Sequence, residues 1–190
     1  MAPANRHWMS LINADHPQAY ANEIYLFGKR RGSGETIWEI KERIGAVSSE
    51  LQVRYRKADT VYDVVASGLF ASIGLYRKLN PEHHRQIQQW IDMLGISGMA
   101  DRTFTHLSYG ERRMALLARS MVKSPEILIL DEPCQGLDRE NRAALLHIID
   151  IIGRDTETSL LYVTHYEDEM PQCISHMLRL TRCSGDTSRI

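Results

Sequence analysis

Two carboxylates stand side by side after an apolar run, Ile127-Leu128-Ile129-Leu130-Asp131-Glu132-Pro133. A run without alternation reads as a strand buried on both faces. Such strands deliver their carboxyl-terminal residues to the ligand edge of an open α/β sheet. Acids in that position are costly unless a cation or a reaction uses them. There Asp131 can orient a hydrated magnesium ion, and Glu132 can polarise a water that attacks a phosphate. A solvated acidic turn is the simpler alternative, and the motif alone leaves both open.

Three further groups share the order of this motif. Leu107-Ser108-Tyr109-Gly110-Glu111 opens a long helix 23 residues before Asp131, counted from Ser108. Ser108 with Glu111 is a capping box, and the same helix start presents backbone N–H groups to an anion, with Gly110 allowing close approach. Gly136-Leu137-Asp138 follows the carboxylates. Val163-Thr164-His165 ends another apolar run, and His165 lies 34 residues after Asp131. A lone histidine at a strand end is commonly structural; beside a terminal phosphate it can hydrogen-bond that group. Each signal is weak alone, and their order and spacing give them weight.

The elements that must position these groups alternate. Glu23 to Phe27 reads as a strand leading into a loop at Gly28, with the basic cluster Lys29 to Arg31 solvated there. Glu35 to Arg43 is helical or mixed, and Ile44 to Val47 is a short buried strand. Asp59-Thr60 precedes a helical pattern over Val61 to Phe70. Pro81 opens another, with Ile87, Ile91 and Leu94 on one face until Gly95. Met114, Leu117, Ala118 and Met121 share helical spacing. Pro125 resets the chain before Ile127, and Asn141 to Ile152 is helical with an apolar stripe of Leu145, Ile148, Ile149 and Ile152. Ser159 to Val163 is a strand, and Met177 to Leu180 a last strand. Strands alternating with helices predict an α/β fold with a parallel sheet covered on both faces.

The chain of 190 residues has a net charge of -1, so no polyanion-binding surface is held by charge alone. Three cysteines, Cys134, Cys173 and Cys183, lack metal-knuckle spacing and suit a reducing compartment. No apolar run approaches the ~18 residues of a membrane span, and the first ten residues lack a secretion-signal core. His83-His84 reads as solvent-facing, Cys134 as a bystander, and the end from Thr181 to Ile190 as a polar tail.

Taken together, the motifs resemble those of the ATP-binding cassette (ABC) ATPases over roughly residues 9 to 180. Leu107 to Glu111 is similar to the family's LSGGQ signature, with Tyr109 and Glu111 as departures. Ile127 to Glu132 resembles the Walker B strand, Gly136-Leu137-Asp138 the D-loop, and His165 the switch histidine. Within the family, Asp15-His16-Pro17-Gln18 and the stretch from Leu26 to Trp38 resemble the second cassette of two-cassette molybdenum-transport ATP-binding proteins. The resemblance implies a P-loop NTPase-like cassette with a mostly parallel sheet and a helical signature subdomain at about residues 51–107. It implies ATP and Mg2+ as cofactors, with Asp131 supporting the metal and Glu132 and His165 catalytic. Leu107, Ser108, Tyr109, Gly110 and Glu111 would contact an ATP held by a partner cassette, in a homo- or heterodimer, with a membrane permease as a further partner. Ser49 stands where the family's Q-loop glutamine is usual. A cytoplasmic location, at most peripheral to the inner membrane, follows from the same likeness, and no nucleic-acid partner is expected.

One family element is missing from the sequence. A phosphate-cradling G-x-x-x-x-G-K-[S/T] run appears nowhere; Gly28 to Thr36 has Glu35 at the lysine position. In the place before Ser10-Leu11-Ile12 stand Met1 to Trp8. That octapeptide is compatible with a one-base shift of a gene segment encoding Asn-Gly-Ala-Gly-Lys-Ser-Thr-Leu. The expectation is therefore an N-terminally truncated cassette with a non-homologous start at 1–8, inactive alone and marginally stable. A non-enzymatic dimerisation remnant of a frameshifted gene and a repair-type ABC ATPase are the alternatives. The absence of a long coiled-coil insertion between Ile44 and Leu107 lowers the second.

Overall fold

The computed structural model describes residues 23–30, 33–47, 54–55 and 58–179. Met1 to Trp8, Asp15 to Gln18, Arg31, Ser49 and the Thr181 to Ile190 tail lie outside the described residues. In chain order, β1 (Tyr25–Leu26) and β2 (Lys29–Arg30) precede α1 (Ile37–Arg43) and β3 (Ile44–Val47). Then come α2 (Val61–Ser67), α3 (Pro81–Met93), α4 (Tyr109–Met121), β4 (Ile127–Asp131), α5 (Arg139–Asp155) and β5 (Ser159–Val163).

The sheet explains the apolar runs. β4 lies between β3 and β5 and is parallel to both, with Gly45 opposite Leu128 and Leu130 opposite Tyr162. Successive side chains of a strand point to opposite faces. Accordingly Leu128 and Leu130 enter the larger core, whereas Ile129 packs with Ile40 and Ile44 on the other side. Both faces of β4 are covered, which is why its sequence does not alternate.

The larger core is helical. Ile87 and Ile91 of α3 meet Val61, Val64 and Val65 of α2 and Leu116 and Leu117 of α4 in one buried cluster. Each of these three helices begins with a capping box, from Thr60 with Asp63, Asn80 with His83 and Ser108 with Glu111. The box supplies partners to N–H groups that the first helical turn leaves unbonded. Arg119 stitches α4 to the turn after α2, its Nη2 donating to the Ser72 carbonyl at 2.9 Å.

Two expectations need correction. Lys29 and Arg30 are a strand, not a loop: they pair antiparallel with Leu26 and Tyr25. Phe27 and Gly28 both have positive φ, the tight-turn geometry that closes a two-residue hairpin, and ion pairs to Glu35 and Glu23 hold the basic side chains outward. Met177 to Arg179 form no strand. Met177 and Leu178 are exposed, so nothing rewards an extended pairing there.

Arg43 joins the hairpin layer to the sheet. Its Nη2 donates to Glu126 Oε2 at 2.8 Å, and its guanidinium stands 3.7 Å from the centre of the Phe27 ring. Beside this junction Lys123 is largely buried, with Nζ donating to the Lys41 carbonyl at 2.5 Å. Burial lowers its ammonium pKa to about 8. Between that value and its ordinary one, the unfolded chain binds the extra proton, so stability rises with pH across that window. Lys123→Met is therefore expected to stabilise the fold at pH 7 by on the order of 1–2 kcal/mol. The gain should shrink as pH rises from 8 towards 10.5, read from denaturant midpoints.

Candidate functional site

The sheet delivers its acidic pair as the apolar run requires. Asp131 closes β4 and is 7% exposed. Glu132 follows in the left-handed region, at φ 45°, an uncommon conformation for a residue with a side chain. Its backbone N–H donates to the Val163 carbonyl at 2.9 Å, which ties the turn to the end of β5. Two residues beyond Val163, His165 brings Nε2 to 2.9 Å from Glu132 Oε1. Thr164 shapes that second turn, its Oγ1 accepting from Tyr166 N at 3.0 Å. Glu132 and His165, 33 positions apart in sequence, thus meet because their parallel strands end side by side.

A second group forms around the start of α4. Ser108 Oγ accepts from Glu111 N at 3.2 Å, and Glu111 Oε2 accepts from Ser108 N at 2.7 Å. Arg102 Nη1 donates to the other oxygen at 2.8 Å. The Ser108 backbone N–H, above all, holds the Glu111 carboxyl below its ordinary range. Both Glu111 oxygens are therefore engaged within the chain. Leu107 is a core residue, and Ser108 and Tyr109 are exposed.

Gly110 approaches protein. A Cβ there would lie 2.7 Å from the side chain of Asn141 on α5. Asn141 in turn donates from N to Asp138 Oδ1 at 2.9 Å and from Nδ2 to Oδ2 at 2.5 Å. Asp138 thus caps α5, and the Asn141 backbone N–H holds its carboxyl below the usual range. Gly110 and Asp138, read as separate motifs, are joined through one asparagine.

Several residues escaped the sequence reading. Arg113 is fully buried and donates from Nη2 to Tyr109 Oη at 2.9 Å. Its position on the same helical stripe as Gly110 and Leu117 was the available signal. Tyr162 of β5 donates to the Glu169 carbonyl at 2.7 Å and lies 3.4 Å from Cys134 Sγ. Buried Glu169 has Arg142 Nη1 at 3.4 Å, which fastens the loop carrying His165 to α5. Burial pushes the Cys134 thiol up, so it is no nucleophile.

Among the described residues no cluster of three or more His, Cys, Asp or Glu could cage a metal ion. Mg2+ does not need such a cage: it takes one or two carboxylates and fills its remaining positions with water and phosphate oxygens. Asp131, a hard oxygen donor at the strand end beside Glu132, fits that mode.

This arrangement agrees with an independent comparison: residues 9–135 match the ABC transporter family. The chain belongs to that family. It is 48% identical over 178 residues to the ABC transporter ATP-binding protein ModF of Escherichia coli, covering 93% of this chain and 36% of ModF. It is 30% identical over 121 residues to the molybdenum import ATP-binding protein ModC of Pseudomonas syringae, covering 64% of this chain and 33% of ModC. The chain thus spans about a third of the length of each of these two relatives. CbiO1 of Clostridium perfringens, part of the ABC transporter complex CbiONQ, superposes with a TM-score of 0.75 at 23% identity, over 89% of this chain and 65% of that one. The ABC cassette is therefore the fold: a parallel sheet with a helical layer leading into α4. Among the described residues no helix is long and apolar enough to cross a membrane.

The cap has a direct test. Ser108→Ala removes the oxygen that accepts from Glu111 N and is expected to cost about 1 kcal/mol, whereas Ser108→Asp, itself a strong cap, should hold stability within a few tenths. Chemical denaturation of the two variants measures both.

Proposed function

We propose that this ABC cassette completes the ATP site of a second cassette, offering Ser108 and the start of α4 to a nucleotide held by its partner. The observation that carries the reading is Ser108, exposed at the start of α4 and fixed there by its Oγ accepting from Glu111 N at 3.2 Å, beside a chain edge where Glu132 and His165 meet 2.9 Å apart. A buried acidic strand end, a histidine from the neighbouring strand and an exposed helix-capping serine together suit phosphoanhydride hydrolysis.

The reaction is in-line attack of water on the terminal phosphorus. At this chain's own sheet edge Glu132 would accept a proton from that water as the new oxygen–phosphorus bond forms and the bond to the bridging oxygen breaks, releasing the nucleoside diphosphate. The nucleotide that Ser108 faces lies instead in the partner's grip. The Glu132 carboxylate is pre-aimed, because its N–H is held by Val163 and His165 stands against one oxygen. His165, about half exposed, can turn its imidazole between Glu132 and the terminal phosphate. Asp131 would hold Mg2+, which when bound would supply positive charge to the phosphate oxygens. Ser108 Oγ accepts from Glu111 N and still has its own O–H to donate to a phosphate oxygen.

The sequence contains no Gly-rich phosphate cradle, so in this reading the chain hydrolyses no ATP by itself and acts through its partner. Kinship with ModF and ModC supports a place in molybdenum transport, at the cytoplasmic side of a membrane permease. Glu111 keeps a structural task in the cap, and Tyr109, Gly110 and Leu107 shape the segment that presents Ser108.

The test mixes the chain with a family cassette whose phosphate loop is intact and whose own signature serine is replaced by arginine. Addition of the chain is expected to raise ATP hydrolysis at least tenfold, and addition of its Ser108→Asp variant should not, since a carboxylate repels the phosphate while preserving the cap. No rise, or an equal rise with both chains, overturns the proposal.

A further inference from the structure

The turn from Glu132 to Asp138 carries the carboxylates at one end and the cap of α5 at the other. Its internal bonds are few: Gln135 N donates to the Glu132 carbonyl and Leu137 N to the Cys134 carbonyl, each at 3.1 Å. Two left-handed residues, Glu132 and Gly136, bend it. Its ends are tied from outside, by Val163 at Glu132 and by Asn141 at Asp138, and its Gly136 bend is braced by a ring of α4.

Tyr109 supplies that support. Its ring lies over Gly136, where an added Cβ would come within 3.3 Å of the ring edge. The ring is kept there by its own hydroxyl, which accepts from Arg113 Nη2 one helical turn later. Arg113 is fully buried, and among the described residues its Nε and Nη1 have no hydrogen-bond partner, so the Tyr109 bond is the one hydrogen bond this desolvated cation makes there. Losing a sole partner of a buried charge is far more consequential than losing a surface bond.

We propose that Tyr109 and Arg113 form a strut that holds the Glu132–Asp138 turn against the first turn of α4, making them positioning residues for both Glu132 and Ser108. Tyr109 is a departure from the family signature, where glycine is usual. The strut explains how it is accommodated: the ring folds back onto Gly136, and Arg113 anchors its tip. The segment that faces the partner's nucleotide and the segment that carries the carboxylates then move as one body. That last consequence rests on the proposed function, but the strut itself is tested without nucleotide, so the two can fail separately.

Hydrogen–deuterium exchange of the full chain is the test. Tyr109→Phe keeps the ring and removes only the hydroxyl. It is expected to speed exchange at Gln135 and Leu137 about tenfold while leaving α3 amides at Ile87 to Met93 unchanged. In an Arg113→Met background the same substitution should change those turn amides less than twofold, the mark of a pairwise coupling. Unchanged exchange at Gln135 and Leu137, or equal acceleration in the turn and in α3, overturns the strut. Should Arg113→Met fail to fold, the Tyr109→Phe result alone decides.

Discussion

The peptide N–H of Glu132 governs the geometry of this molecule. β4 is buried on both faces and cannot carry a pair of acids further into the sheet, so the chain must leave it sharply at Asp131. A left-handed residue makes that turn, and the N–H of Glu132 pays for the unusual conformation by bonding to the Val163 carbonyl at the end of β5. This one bond sets the direction of the Glu132 side chain and the distance to His165. The strand order supplies the rest, because only parallel neighbours bring two carboxyl-terminal ends to the same edge.

Around that edge, packing and chemistry share the same residues. Gly110 lets α4 and α5 approach through Asn141, and Asn141 is also the partner of Asp138. Glu111 serves the cap and the ion pair with Arg102, so its carboxylate is committed to structure. Such double use packs the start of α4, the turn and the cap of α5 into one unit through Asn141. Arg113 belongs to this unit too, as a cation held in the core by a phenol.

The sequence made the sheet legible because its three described strands are continuous apolar runs in parallel pairing, with β4, the middle one, buried on both faces. The helix starts were legible because serine, threonine and asparagine caps have fixed spacing to their partners. What stayed hidden was set by tertiary contact. Lys29 and Arg30 have the composition of a loop, and only pairing with Leu26 and Tyr25 makes them a strand. Met177 and Leu178 have the composition of a strand, yet no surface covers them. Gly110 suggested room for an anion, and the close approach within the chain is to Asn141. Arg113 resembles any surface arginine until Tyr109 and the turn enclose it. In the site, the order of the motifs singled out Glu132, His165 and Ser108 as candidates, but the meeting of Glu132 with His165 depends on a register that no local pattern encodes.

We propose that this cassette carries a hydrolytic carboxylate, Glu132, and a partner-facing serine, Ser108, without a cradle to grip ATP itself. Steady-state ATP hydrolysis by the purified chain alone, in the presence of Mg2+, measures this most directly. No turnover above buffer is the expected result. Turnover that disappears on Glu132→Gln would contradict it, since the chain would then hold and cleave its own nucleotide.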